Sequence, residues 1–104
     1  MLIVLTTAPG IEEADALADR IVAAKLAACV QILPKMTSVY VWEGEVRRED
    51  EYLLLIKTLS EKFDELSAFI TANHSYDVPE IVAIDAARVS DGYKAWIGEI
   101  VGDQ

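Results

Sequence analysis

Two long strand-like runs, joined by only two residues, constrain this chain more than any other feature. The runs cover residues 29–42 and 45–58, and Glu43-Gly44 lies between them. A two-residue loop that contains glycine is typical of a β-hairpin, because glycine supplies the positive φ that such turns need. Pro34 lies inside the first run, so we expect a bulge or a sheet edge there.

Three amphipathic stretches predict helices. The first covers residues 11–26, where apolar residues recur at helical spacing and early acidic residues suit the positive end of the helix dipole. A second helix follows Ser60, and a third follows Ser90 or Asp91. Each of these three residues is a candidate N-cap, whose side-chain oxygen accepts a bond from a free backbone N–H.

Short apolar runs at residues 2–5 and 81–84 predict two further strands. The order of elements is then β-α-β-β-α-β with an extra C-terminal helix. Two split βαβ halves joined by a hairpin are typical of the ferredoxin-like α+β sandwich. The 104 residues contain no linker or repeat, so we expect a single domain spanning residues 1–104.

Strand composition and hairpin length both predict self-association. Consecutive apolar residues at 2–5, 53–56 and 81–84 give the sheet two apolar faces, whereas the crossover helices cover only one. Each hairpin arm would span roughly 46 Å, against about 24 Å for the first helix. We expect the hairpin to reach a neighbouring copy. The alternative is a bent hairpin with the C-terminal helix closing the open face.

Charge and cysteine content exclude several classes of protein. Eighteen Asp and Glu against nine Lys and Arg give a net charge of −9, whereas nucleic acid binding needs concentrated basic residues. The single cysteine, Cys29, excludes an internal disulfide, and its apolar neighbours favour core packing over reactivity. The first apolar run stops at Thr6, too short for a signal peptide or a membrane span. We therefore expect a cytoplasmic protein that binds neither nucleic acid nor membrane.

Residues 73–81, with the sequence NHSYDVPEI, contain the only histidine, His74. A histidine at a helix C-terminus can interact favourably with the dipole, and the sequence alone favours this structural role. The other interpretation is a metal ligand with Tyr76, Asp77 or Glu80, which would hold a divalent ion loosely. A general base is a third interpretation, but no nucleophile or oxyanion donor is identifiable. We expect no catalysis.

Two further side chains are candidates for a role beyond the core. Lys57 is the one charge within residues 53–59. It either extends to solvent at a sheet edge or faces a carboxylate or an anionic ligand. Trp42 lies beside the hairpin turn, where a large amphipathic ring is typical of a core or interface anchor.

Several motifs, taken together, resemble the CutA family of divalent-cation tolerance proteins. In chain order they are VLTTAP (4–9), KLAACV (25–30), SVY (38–40), WEG (42–44), LIKT (55–58) and HSYDVPEI (74–81). They occur in the family's order and cover nearly the whole chain. The resemblance implies a ferredoxin-like homotrimer with a role in tolerance of divalent metals, copper especially.

The resemblance also implies a cleft between subunits that could bind a metal ion or a small anion. The ligand-binding side chains expected there are Trp42, Lys57, Tyr76 and Glu80, and the expected metal ligand is His74. The expected ligand is Cu(II) or another divalent cation, bound weakly.

The chain departs from the family at copper ligands proposed for a bacterial relative. That set, one cysteine and two tandem histidines, falls on Thr6, Asn73 and His74, so one of the three is kept. An alternative function rests on the fold alone. The trimeric PII signalling proteins share this subunit fold, and the cleft would then bind a nucleotide-sized molecule.

Overall fold

The computed structural model describes residues 1–102, which form five strands and three α-helices. The strands are β1 (Leu2–Ala8), β2 (Cys29–Ile32), β3 (Met36–Trp42), β4 (Glu45–Thr58) and β5 (Val82–Asp85). The helices are α1 (Ile11–Ala23), α2 (Phe63–Ala72) and α3 (Asp91–Val101). This is the element order that the sequence predicts, with the first hairpin arm divided into β2 and β3.

The strands form one antiparallel sheet in the order β2-β4-β1-β5, and β3 pairs with the outer half of β4. β1 is central, with β4 on one side and β5 on the other. α1 connects β1 to β2, and α2 connects β4 to β5. This arrangement confirms the predicted ferredoxin-like α+β fold.

Pro34 separates the two parts of the first hairpin arm. Ile32 lies opposite Leu54, whereas Met36 lies opposite Glu51. Four steps along the first arm therefore face three steps along β4, so the first arm contains one extra residue. An extra residue of this kind is a β-bulge, which bends the strand and increases its twist. The bulge expected at the proline is confirmed.

The hairpin closes at Glu43 and Gly44. Both residues have a positive φ, 51° for Glu43 and 79° for Gly44. Two central residues with positive φ define a type I′ turn, whose twist matches that of antiparallel strands. The predicted two-residue hairpin is confirmed.

Two predicted strand boundaries were wrong. β1 does not turn after residue 5 but continues to Ala8, because Thr6, Thr7 and Ala8 pair with β4. β5 is shifted by one residue and runs from Val82 to Asp85, since its register follows β1, with Leu5 opposite Val82. In both strands, pairing with a neighbour decides the boundary, and the apolar run alone does not show it.

The predicted end of the first helix was also wrong. α1 ends at Ala23 because the chain enters the left-handed region at Lys25, where φ is 58°. The N–H of Lys25 donates to the carbonyl of Val22 at 3.0 Å, and the N–H of Leu26 donates to that of Ile21 at 3.2 Å. This is the Schellman pattern, which usually has glycine at the left-handed position.

The N-termini of the second and third helices differ from the caps that the sequence predicts. Ser60 is not an N-cap but the first residue of a 3-10 turn, Ser60–Lys62, that leads into α2. Ser90 does occupy the N-cap position of α3, although its side chain makes no capping bond. Asp91 is the first residue of that helix and places a negative charge in its first turn.

A hydrophobic core lies between one face of the sheet and the helices α1 and α2. Its largest fully buried side chains include Val4, Leu17, Ile21, Leu54 and Leu66. Alternate residues of β1 and β4 supply the sheet side of the core, as expected for strands that bury one face against helices.

The opposite face of the sheet is also apolar but only partly covered. Alternate residues of the two central strands lie there half-buried, namely Ile3, Leu5, Leu53 and Leu55. α3 covers one end of this face, because Lys57 Nζ lies 5.8 Å from the ring centroid of Tyr93. The C-terminal helix therefore closes part of the open face, and the rest stays half-buried. The predicted self-association stays a prediction.

The outer part of the hairpin projects beyond the core. The chain is 44 Å long in its greatest dimension and 26 Å in the next. The side chains near the hairpin end are largely exposed, including those of Val41 (68%) and Val46 (73%). Exposed apolar side chains clustered on a projecting hairpin indicate an interaction surface.

Lys25 provides a test of the helix end. Replacing Lys25 with glycine should raise the free energy of unfolding by about 0.5–1 kcal/mol, because glycine adopts positive φ without a Cβ clash. Urea denaturation of the wild type and the variant measures the change. The matched control is Ala24→Gly, where φ is −81° and glycine should lower stability instead. Equal destabilisation by both variants would contradict a strained Lys25.

Candidate functional site

A cavity of about 650 Å³ lies between the projecting hairpin and the loop that connects α2 to β5. The hairpin contributes Tyr40 and Trp42 from β3 and Glu51 from β4. The loop contributes Tyr76 and Glu80. A volume of this size lies within the range of small-molecule sites in proteins.

Three of the five predicted site residues line this cavity, and two do not. Trp42, Tyr76 and Glu80 line it, whereas Lys57 and His74 are absent from its walls. The family resemblance implied this grouping, whereas spacing along the chain does not show it, because the hairpin and the loop are distant in sequence. Register and bulge position bring them together.

The side chain of Lys57 lies against the sheet and contacts residues of its own chain. Its Nζ donates to Oε1 of Gln31 at 2.8 Å and lies near the ring of Tyr93. It therefore extends toward the edge strand β2 and contacts an amide and an aromatic ring. Of the two sequence interpretations, the sheet-edge position is the closer one. The predicted contact of Lys57 with a ligand stays a prediction.

Glu51 is the main site residue that sequence reasoning missed. Its Oε2 accepts a hydrogen bond from the Tyr76 hydroxyl at 3.0 Å and another from Thr7 Oγ1 at 3.2 Å. The residue is only 8% exposed, although it ends a run of charged residues that is typical of a solvated surface. A buried carboxylate needs such donors, because an unpaired one would cost several kcal/mol. Strand β1 supplies one of these donors, Thr7, and the approach of the loop supplies the other, Tyr76.

The side chain of His74 is fully buried, and both of its ring nitrogens have partners. Nε2 lies 2.6 Å from the carbonyl oxygen of Thr7, and Nδ1 accepts from the backbone N–H of Tyr76 at 3.0 Å. A carbonyl can only accept, so we assign the ring proton to Nε2 and the lone pair to Nδ1. The side chain has no accessible surface. In this arrangement the imidazole is neutral and connects the loop to β1.

These contacts form a closed circuit of four hydrogen bonds. The hydroxyls of Thr7 and Tyr76 both donate to Glu51. The N–H of Tyr76 donates to His74, and the ring N–H of His74 donates to the Thr7 carbonyl. Thr7 and Glu51 belong to strands, and His74 and Tyr76 belong to the loop. A circuit in which each partner restrains the next holds the loop in one position against the sheet.

The residues beside His74 reinforce this anchoring. The N–H and the hydroxyl of Ser75 donate to the carboxylate of Glu13 in α1 at 2.8–3.1 Å. Glu13 Oε2 also lies 3.6 Å from His74 Nδ1, but this contact is an ion pair only when the ring is protonated. Asn73 is the C-cap of α2, and its Nδ2 donates to the Phe69 carbonyl at 2.9 Å.

The donor set does not fit a tight metal site within one chain. Neither nitrogen of His74 has a free lone pair in this conformation. Thr6 shares the core-facing side of β1 with Val4, away from the cavity, and its buried Oγ1 has no partner among residues 1–102. Within the same residues, no group of three or more His, Cys, Asp or Glu side chains could hold a metal ion. The metal role of His74 stays a prediction.

The phenol of Tyr76 ionises less readily than an ordinary tyrosine. Partial burial and the hydrogen bond to Glu51 raise its pKa from 10.0 to about 12, and the negative charges of Glu51, Glu49 and, once it is ionised, Tyr40 add to the effect. Tyr76 therefore remains a hydrogen-bond donor to Glu51 throughout the physiological pH range.

Comparison with known proteins identifies the family. The family model described as CutA1 divalent ion tolerance protein matches residues 2–100. The chain belongs to the CutA1 family. The resemblance seen in the sequence motifs is thereby confirmed.

Relatives of this CutA1 chain come from plants, animals, bacteria and archaea. The divalent-cation tolerance protein CutA of Thermus thermophilus is 44% identical over 96% of the chain and 97% of its own length. A chloroplastic CutA protein of Arabidopsis thaliana is 45% identical over 92% of the chain. The chain spans only 53% of the length of that plant protein.

Solved structures show the same fold. The divalent cation tolerance protein of Thermus thermophilus superimposes with a TM-score of 0.94, at 44% identity over 98% of this chain and all of that one. A periplasmic CutA of Archaeoglobus fulgidus gives a TM-score of 0.93, at 40% identity over 97% of this chain and 99% of that one. No helix within residues 1–102 is long and apolar enough to span a membrane.

The raised pKa of Tyr76 predicts how stability depends on pH. The folded chain keeps the phenolic proton between about pH 10 and 12, whereas the unfolded chain releases it. Stability should therefore fall as pH rises through this interval, and less so in Tyr76→Phe. The tyrosinate absorbance of the wild type minus that of Tyr76→Phe gives the titration of this residue, with Tyr93→Phe as control. A midpoint at about pH 10 would show that neither burial nor Glu51 raises the pKa of Tyr76.

Proposed function

We propose that this CutA1 protein is a homotrimer that acts in tolerance of divalent metal ions, copper in particular. It binds these ions weakly and catalyses no reaction. The family name and the names of the relatives support divalent-cation tolerance. The observation that carries the weak binding is the donor set, since no three ligating side chains of one chain come together within residues 1–102. A site with fewer ligands per chain holds an ion loosely unless a neighbouring copy adds donors.

The projecting hairpin supports the trimer. Val39, Val41 and Val46 are more than half exposed, on a hairpin that extends past its own core. A half-buried apolar sheet face lies beside it, only partly covered by α3. Association of identical copies would bury both surfaces. In such a trimer the cavity beside the hairpin would lie at a subunit boundary.

His74 would act as a metal ligand only after a local rearrangement. Nδ1 would have to release the N–H of Tyr76 before its lone pair could reach an ion. The competition between this hydrogen bond and the metal is a further physical reason for weak binding. Glu13, whose Oε2 lies 3.6 Å from the same nitrogen, would be the nearest carboxylate.

A second candidate function is a small-molecule sensor resembling the PII proteins. One observation favours it: the cavity of about 650 Å³ is large enough for an organic ligand and contains three aromatic rings. The predicted cytoplasmic location is part of our proposal, although names of relatives also include chloroplastic and periplasmic proteins.

A charged side chain introduced into the hairpin tests the proposed trimer. Val41→Asp should raise the dissociation constant of the trimer at least about 100-fold, since burying an unpaired carboxylate costs several kcal/mol. Native mass spectrometry over a dilution series measures the subunit distribution. The control is Val22→Asp on α1, also an exposed valine, which should leave the assembly intact. If Val41→Asp forms the trimer as readily as the wild type, the surface around Val41 is not part of the interface.

The metal proposal is tested on metal-stripped protein titrated with Cu(II) and then Zn(II). We expect saturable uptake of one Cu(II) ion per chain. The electron spin echo of bound Cu(II) is modulated by the remote nitrogen of a ligating imidazole. Because His74 is the only histidine, this modulation would identify it as the ligand without a mutation. Bound Cu(II) without this modulation would contradict ligation by His74 and point to carboxylates. A trimer that takes up no ion would contradict metal binding altogether.

A further inference from the structure

The cavity beside the hairpin presents aromatic rings where a metal site would present donor atoms. Tyr40, Trp42 and Tyr76 all line it, and in the single chain each keeps more than a third of its surface exposed. Large aromatic side chains usually bury their faces in a core or an interface. The face of an aromatic ring carries partial negative charge and attracts a cation, most strongly when that cation is weakly hydrated.

Carboxylates without cationic partners surround these rings. Glu51, Asp77 and Glu80 line the same cavity. Within residues 1–102, none of the three has a Lys or Arg nitrogen within ion-pair distance. Arg47 is the one cationic side chain in the lining, so the walls carry three negative groups and one positive group. The excess negative charge favours a positively charged occupant.

The rings and the carboxylates converge on one region. The Tyr76 hydroxyl donates to Glu51 Oε2 at 3.0 Å. In the hairpin register, Tyr40 lies opposite Arg47 and Trp42 lies opposite Glu45, which places these side chains on the face that also carries Glu51. The hydrogen-bond circuit through His74 holds Tyr76 in place against this face.

These features distinguish between kinds of ligand. A small divalent ion needs several oxygen or nitrogen donors at close range, and among residues 1–102 the carboxylates do not gather into such a group. An anion would meet one guanidinium and three negative charges. An organic ammonium ion, in contrast, has diffuse charge and apolar groups that suit both the rings and the carboxylates.

We propose that this cavity binds a small organic ammonium ion, with its apolar groups against Tyr40 and Trp42 and its charge near Glu51 and Tyr76. The inference rests on the second candidate function, the small-molecule sensor, since it names a ligand class for the same cavity. It is independent of whether the protein also binds divalent metals. Arg47 opposes the ligand charge and weakens its binding.

The experiment uses the full chain and tetramethylammonium chloride as the probe. The two tryptophans give two indole N–H signals in a nitrogen-correlated NMR spectrum, and Trp96→Leu assigns them. Tetramethylammonium should shift the signal of Trp42 saturably and leave that of Trp96 unchanged. Potassium chloride at the same ionic strength supplies charge without apolar groups, and tert-butanol supplies a similar shape without charge. Neither should shift Trp42 to a comparable extent.

Three variants test which side chains are responsible. Trp42→Leu should weaken binding about tenfold or more, because leucine keeps apolar area but lacks the ring. Saturation transfer from the protein to the methyl groups of the probe measures the binding. Trp96→Leu, the matched control in α3, should bind as the wild type does. Arg47→Gln should tighten binding severalfold, since it removes a like charge from the cavity. Weaker binding in Arg47→Gln would overturn the charge argument.

The outcomes separate this inference from the proposed function. No tetramethylammonium binding, or equal binding of tert-butanol, would overturn the ammonium proposal whatever the metal titration shows. Saturable tetramethylammonium binding that depends on Trp42 would support it, even where the Cu(II) titration fails. Displacement of the probe by Cu(II) or Zn(II) would show that the metals enter the same cavity, and this would overturn the distinction drawn between the two ligand kinds.

Discussion

The pairing of β4 with three other strands is the constraint on which the rest of this structure depends. Its 14 residues pair with β1 and β2 along the inner half and with β3 along the outer half. The inner half buries Leu54 and Ile56 in the core, and the outer half carries the projecting hairpin. Glu51 lies where the two halves meet, at the level of the bulge after Ile32. One continuous strand therefore connects the stable core to the candidate site.

The loop after α2 is held by polar contacts, with little help from apolar packing. His74 contributes both ring nitrogens to this attachment, and Glu51 accepts two hydroxyl hydrogen bonds at its other end. Each group is largely buried, so each would be costly without its partner. These contacts give His74 a structural role in this loop. Its hydrogen bonds organise the cavity wall that carries Tyr76.

Sequence reasoning recovered the architecture because local signals agreed with one another. The two-residue loop at Glu43-Gly44, the proline at position 34 and the helical spacing after Ile11 each lead to one arrangement of strands and helices. Reasoning from sequence failed at the ends of elements. Lys25 adopts a positive φ that nothing in its side chain indicates, and Thr7 stays in the strand only because β4 continues beside it. Motifs in chain order also identified the family correctly.

The sequence by itself determined the fold class, the hairpin and the family, because periodicity, turn chemistry and motif order are local properties of the chain. The tertiary structure decided which of the expected site residues line one cavity, and it added Glu51 to them. Glu51 resembles a solvated charge in the sequence, yet it is buried beneath Tyr76. Lys57 appeared in a family motif, yet it turns toward Gln31. Such groupings depend on strand register and on the bulge, since a shift of one residue would move every side chain of a strand to the other face of the sheet.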